Sequence, residues 1–290
     1  MTLTLKETKD LKILEAMVPS KNIIPNNNFL LKIFCSIVII ILILLAIGHY
    51  AFKNGKLTCD NYLLNTYLYV ILAIVLIFMF ILLNDKYGMF YNALDYLFFK
   101  ASYPLLSLLC IFILGIILTF ILIYIPPEYI LASNAVWLLL ILLISFILTP
   151  VIYFGRVSSV IGMAILITII LVIATGILGL YYGDMLILFD WDYYLMWALI
   201  AFIIIYIIGI FIVRTPTEYI NFIYIMSFIG LLIFILLLIS YFNTLKHNAQ
   251  KCVDGISIPN YPLESWSLII KIVNIFGKII RILGIRKMRS

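Results

Sequence analysis

Residues 160–180 read VIGMAILITIILVIATGILGL, twenty-one positions without one charged side chain. A run of that length covers the hydrocarbon core of a bilayer as a helix, for which about 20 residues suffice. It has to be helical, because a backbone amide left unpaired in lipid costs several kcal/mol. Working outward, comparable runs lie at roughly 29–51, 62–83, 103–125, 129–154, 158–181, 194–213, 219–242 and 265–284. The fold class is therefore all-α: a polytopic membrane helix bundle with about eight transmembrane segments. Composition agrees, with 66% hydrophobic and 11% charged residues in 290 and a mean hydropathy of +1.24. One soluble core of this size could not hide so much apolar surface.

Breakers separate the runs: Lys53–Asn54–Gly55–Lys56, Pro126–Pro127, Gly155–Arg156 and Thr215–Pro216. The stretch 84–101, with Tyr87, Phe90, Tyr91, Tyr96, Phe98 and Phe99, is expected to lie along the interface. Three regions follow: a polar N-terminal tail (1–28), two spans plus the interfacial segment (29–101), and a six-segment domain (102–290). The tail is too polar for a cleavable signal peptide. Its Lys6, Lys9 and Lys12 are offset by Glu7, Asp10 and Glu15, against a transit peptide.

With eight crossings the N-terminus, the even-numbered loops and the C-terminus share one face. That face carries thirteen of the nineteen Lys and Arg, whereas Lys53, Lys56, Lys246 and Lys251 lie on the other. The positive-inside rule puts both ends on the cytoplasmic or matrix side. The scattered charge, net +6, suits topology better than nucleic acid, which is not an expected partner. Cys59 and Cys252 fall on the opposite face, where an oxidising compartment would allow them to pair; with no distance to go on, two separate thiols are the preferred reading. Cys35 and Cys110 lie within spans.

Sites for catalysis are scarce. No Ser/His/Asp set, phosphate-binding glycine loop or zinc-spaced cysteine pair occurs, so no enzyme activity is expected. The only histidines, His49 and His247, both fall at a membrane edge on the sparsely charged face. Facing one cavity they would make a haem or metal site; as separate interfacial imidazoles they would do nothing chemical, which is the plainer choice. The loop with Tyr181, Tyr182, Asp184, Phe189, Asp190, Trp191 and Asp192 is either an aromatic belt or a platform for a planar ligand. In the last segment Lys271, Asn274, Lys278 and Arg281 recur at steps of three and four, hence on one helical face. Either that helix lies on the surface, or it spans with its polar stripe against protein, its own or another subunit's.

Several of these residues also carry a family resemblance. Tyr241–Phe242–Asn243–Thr244–Leu245–Lys246–His247, then Ser257–Ile258–Pro259, Pro262–Leu263 and Trp266–Ser267, resemble the loop of the CcmC-type haem-handling proteins of cytochrome c maturation. Thr175–Gly176, the loop ending Trp191–Asp192, and Ile123–Tyr124–Ile125–Pro126 are similar to that family's other signatures, in order, over residues 105–285. Pro126 and Leu236 stand near the places of its two haem-ligating histidines. The resemblance implies a protein presenting haem on the non-cytoplasmic face. Tyr182, Phe189, Trp191, Asp192 and Asn243 would frame the cofactor, and His49 and His247 would be the available ligands. The host would be a mitochondrial inner membrane, with the chain organelle-encoded, or a prokaryotic cytoplasmic membrane.

Two alternatives stand beside it. One is a non-catalytic subunit of a larger membrane assembly, docked through Lys271, Asn274, Lys278 and Arg281. The other, ranked below, rests on Tyr124–Ile125–Pro126–Pro127–Glu128–Tyr129 and Pro216–Thr217–Glu218–Tyr219, which resemble the Bax inhibitor-1 family of membrane leak channels. In that comparison Arg214 replaces one of the family's paired acidic residues and an apolar residue the other. A channel is disfavoured by the near absence of ionisable residues at mid-depth in segments two to seven.

Overall fold

The computed structural model describes residues 29–53, 56–87, 104–184, 191–213 and 215–289. Eight helices occur among them: α1 (Phe29–Tyr50), α2 (Tyr62–Tyr87), α3 (Pro104–Tyr124), α4 (Ile130–Val157), α5 (Ile161–Tyr182), α6 (Trp191–Ile212), α7 (Pro216–Val253) and α8 (Tyr261–Arg289). Six of them, α1, α2 and α4 to α7, are long and apolar enough to cross a membrane. The 21-residue α3 is equally apolar, and α8 is the exception because of its charges. The N-terminal tail, Phe189, Arg214 and most of the aromatic stretch 84–101 lie outside the described residues.

Many large apolar side chains face outward, and several polar ones are enclosed among the apolar core. Leu31, Phe34, Leu42, Leu45, Ile173, Trp197 and Ile208 are exposed, while Asn65, Thr66, Glu264, Ser265 and Lys278 are buried. Lipid solvates the first set and cannot solvate the second. Hydroxyls within the helices are satisfied locally: Ser36, Thr119, Ser145, Thr168 and Ser227 each donate to the carbonyl four residues back.

Two short strands follow α1: β1 (Phe52–Lys53) and β2 (Lys56–Leu57), antiparallel with Phe52 opposite Leu57. Asn54–Gly55 sits between them, the dipeptide that favours a two-residue hairpin turn. It was read from sequence only as a linker.

Helix ends follow their caps. Thr215 accepts from the amide of Glu218 (3.3 Å) ahead of Pro216 at the first position of α7. Asn260 accepts from Leu263 (3.2 Å) at the start of α8. α7 corrects an expectation: its 38 residues run on past 242, so Asn243–Thr244–Leu245 is a helical turn and not a loop. At 1.5 Å per residue it is about 57 Å long, well beyond the hydrocarbon core. It stops only at Gly255 (φ 73°), where the amides of Gly255 and Ile256 bond Cys252 and Lys251 in a Schellman motif.

The chain divides into two compact units. One holds α1 to α3, α4 up to Thr149, and residues 247–269; the other holds residues 150–246 and 270–289. In the first, α1 packs on α2 and on the hairpin. In the second, α5 lies tight on α7: a Cβ on Gly179 would stand 2.5 Å from the Ile239 carbonyl and from Phe242 Cβ. Gly209 of α6 likewise admits the ring of Phe222 from α7. Small residues at crossings are how membrane helices approach closely.

Candidate functional site: the polar face of the last helix

α8 holds the least apolar sequence and is the most enclosed helix, with no exposed residue from Tyr261 to Ile285. Enclosure of this kind favours the spanning reading over the surface one. Along its stripe Lys278 is buried and Lys271, Asn274 and Arg281 are half-buried within the chain itself.

In the first unit, the start of α8 meets the loops around the hairpin. Cys59 and Cys252 are disulfide-bonded, which corrects the expectation of two separate thiols. The bond joins the segment before α2 to the end of α7. Beside it Glu264, 9% exposed, accepts on one oxygen from the Tyr62 hydroxyl (3.0 Å) and the Asn248 amide (2.8 Å). Tyr261, fully buried, donates its hydroxyl to the Thr58 carbonyl and stacks near Tyr69, centroids 6.1 Å apart. Trp137 donates to Ser265 (2.9 Å) and Trp266 to Thr119 (3.2 Å). Asn65, 0% exposed, aims its amide nitrogen at the carbonyls of Tyr50 (3.2 Å) and Asp60 (3.1 Å) and at Tyr261 Oη (3.2 Å). Two backbone carbonyls fix the orientation of that amide, so Asn65 Oδ1 is an acceptor without a donor among the described residues.

In the second unit, the stripe meets aromatic rings. Lys271 Nζ lies 4.1 Å from the Tyr241 ring centre, and Lys278 Nζ lies 4.8 Å from Phe202 and 5.4 Å from Tyr206. Asn274 donates to the Ile270 carbonyl (2.8 Å) of its own helix. Lys278 is 7% exposed, and Gly230 makes room for it: a Cβ there would stand 2.8 Å from Lys278 Cε and 3.2 Å from Nζ. At the C-terminal end Arg289 bonds Asn221 and stacks on Tyr224.

The residues singled out from sequence are placed as follows. His49 is the penultimate residue of α1, edge-on to Tyr50 at 4.8 Å. His247 lies inside α7. Tyr182 ends α5, exposed. Trp191 and Asp192 open α6. Asn243 is buried against the turn after α5, where a Cβ on Gly183 would meet its carboxamide at 2.5 Å. One turn on, Lys246 pairs with Asp184 at 2.6 Å. The start of the aromatic loop and the Asn-Thr-Leu turn thus do meet. Sequence reasoning missed the Tyr62–Asn65–Tyr261–Glu264 cluster, whose partners lie about two hundred residues apart in the chain.

Such a chain is a polytopic membrane protein whose polar interior is supplied by its last helix. A family model described as inhibitor of apoptosis-promoting Bax1 matches residues 59–288. The chain belongs to that family, the Bax inhibitor-1 family. No curated protein matches it. The resemblance to the haem-handling family is overturned by this match, which spans the same residues. With it goes the basis for assigning haem to His49, His247, Tyr182, Phe189, Trp191, Asp192 and Asn243. The match starts at residue 59, so α2 lies inside the family region and α1 ahead of it.

Proposed function

We propose that this protein is a passive leak channel and not an enzyme, as the lower-ranked resemblance implied. The observation that carries the proposal is the burial of α8. Hydrogen bonds between helices account for the burial of Glu264 and Ser265, but they do not account for the buried Lys278 or the half-buried Lys271, Asn274 and Arg281, which favour a polar face that is used. An ionisable residue at depth is costly on every scale, at least ~2.5 kcal/mol at a helix centre. The argument against a channel drawn from segments two to seven misses this, because the ionisable residues sit on the eighth.

Sidedness follows from two independent features. The Cys59–Cys252 bond belongs in an oxidising compartment, and the Lys and Arg excess belongs opposite it. The loops around the hairpin therefore face away from the cytoplasm.

The test is ion flux in sealed proteoliposomes. Protein-loaded vesicles should dissipate a salt gradient faster than empty ones, without added energy. Equal rates in the two would remove the channel.

A further inference from the structure

Lys278 poses a problem that the leak reading alone leaves open. The lysine projects onto Phe202, which lies at the midpoint of the 22-residue α6, so its ammonium sits near mid-depth of a membrane segment. Arg281 follows at i+3, on the same helical face. No carboxylate among the described residues pairs with either. In the described part of this unit the acidic residues are Asp184, paired with Lys246, Asp192, in the first turn of α6, and Glu218, exposed at the start of α7. Two aromatic faces attract a desolvated ammonium, but this offsets only part of the cost of enclosing it. The space for it is also built: Gly230 lacks the Cβ that would press on Lys278 Cε and Nζ.

We infer that Lys278 and Arg281, on the Gly230-lined face of α8, form a binding site for a small inorganic anion such as chloride. An anion supplies a counter-charge that no carboxylate among the described residues gives them. A small inorganic ion is favoured over a lipid headgroup, which would have to leave the interface to reach Lys278. If the protein leaks ions, as proposed above, the same site makes anions the favoured species. That consequence rests on the leak reading, whereas the site does not.

The site is tested on the purified full chain by thermal unfolding in chloride against gluconate at equal ionic strength. Wild type should melt higher as chloride rises, since a ligand bound only by the folded state stabilises it. Lys278→Met, which keeps the stem and its apolar packing, should lose that chloride response and melt above wild type in gluconate. Arg281→Gln, on a less enclosed residue, should weaken the response, and it decides the matter if Lys278→Met does not fold. Identical melting of wild type in the two salts would overturn the site, as would an unchanged chloride response in the variants. In proteoliposomes under a potassium chloride gradient, the reversal potential should move toward that of chloride. A potential set by potassium would overturn the anion preference while leaving the leak intact. The absence of any current would remove the leak and leave the melting comparison to decide the site.

Discussion

Glu264 shows how one side chain can hold several elements. Its carboxylate oxygen accepts from Tyr62 on α2 and from Asn248 on α7, while the residue itself opens α8. Removing the acceptor strands the buried Tyr62 hydroxyl, at about 1–3 kcal/mol, and frees the half-buried Asn248 amide. Glu264→Ala should therefore unfold at distinctly lower temperature than wild type in the same detergent, whereas Glu264→Gln, which keeps a carbonyl oxygen in place, should retain most of the stability. Equal losses in the two would mean that the charge, and not the acceptor, is what the cluster needs. Asn65 makes the complementary case. Asn65→Leu frees no carbonyl that lipid can satisfy, so the Tyr50 and Asp60 carbonyls lose their donor. A drop in unfolding temperature similar to that of Glu264→Ala is expected.

Among elements, the segment between the hairpin and α2 is joined covalently to the end of α7. The Cys59–Cys252 bond spans a separation of 193 residues, and disulfides closing long loops contribute roughly 2–5 kcal/mol. Reduction, or Cys252→Ser, should lower the unfolding midpoint accordingly. A midpoint indifferent to dithiothreitol would show that the bond does not constrain the fold. The α5–α7 crossing is a second joint: Gly179→Val would drive a branched side chain into Ile239 and Phe242, and overpacking of this kind costs about 1–3 kcal/mol. Most of these elements could be read directly from the chain, because lipid demands some twenty apolar residues per crossing and α1 to α7 supply them. Two features could not be read the same way. The polarity of Asn243, Thr244, Lys246 and His247 suggested a loop, although no glycine or proline interrupts the helix before Gly255. The Asn54–Gly55 dipeptide marks a break in the sequence, but two-residue strands such as β1 and β2 leave no local pattern beside it. The basic stripe of α8 was found by its spacing, but its burial depends on Phe202, Tyr206 and Gly230, which no local pattern connects to it. The haem resemblance failed for a related reason. Short matches such as Asn243–Thr244–Leu245 and Thr175–Gly176 are made of residues that helix packing selects anyway: Gly176 packs against the Phe242 ring, and one turn on a Cβ at Gly179 would collide with Phe242 and the Ile239 carbonyl.

For the whole molecule, the decisive question is whether α8 crosses the membrane with its charges inside. Seven apolar crossings followed by a surface helix would leave the chain's two ends on opposite sides; an eighth crossing returns them to the same side. A protease site placed ahead of Phe29 and another after Arg289, in sealed vesicles of a single orientation, reads this out. Both sites should be cut from the same side of the membrane and both protected from the other, with the Cys59–Cys252 pair reached by membrane-impermeant reductant only from the side opposite the cuts. Cleavage of the two sites from opposite sides would contradict a spanning α8, and with it the polar interior on which the leak and the anion site depend.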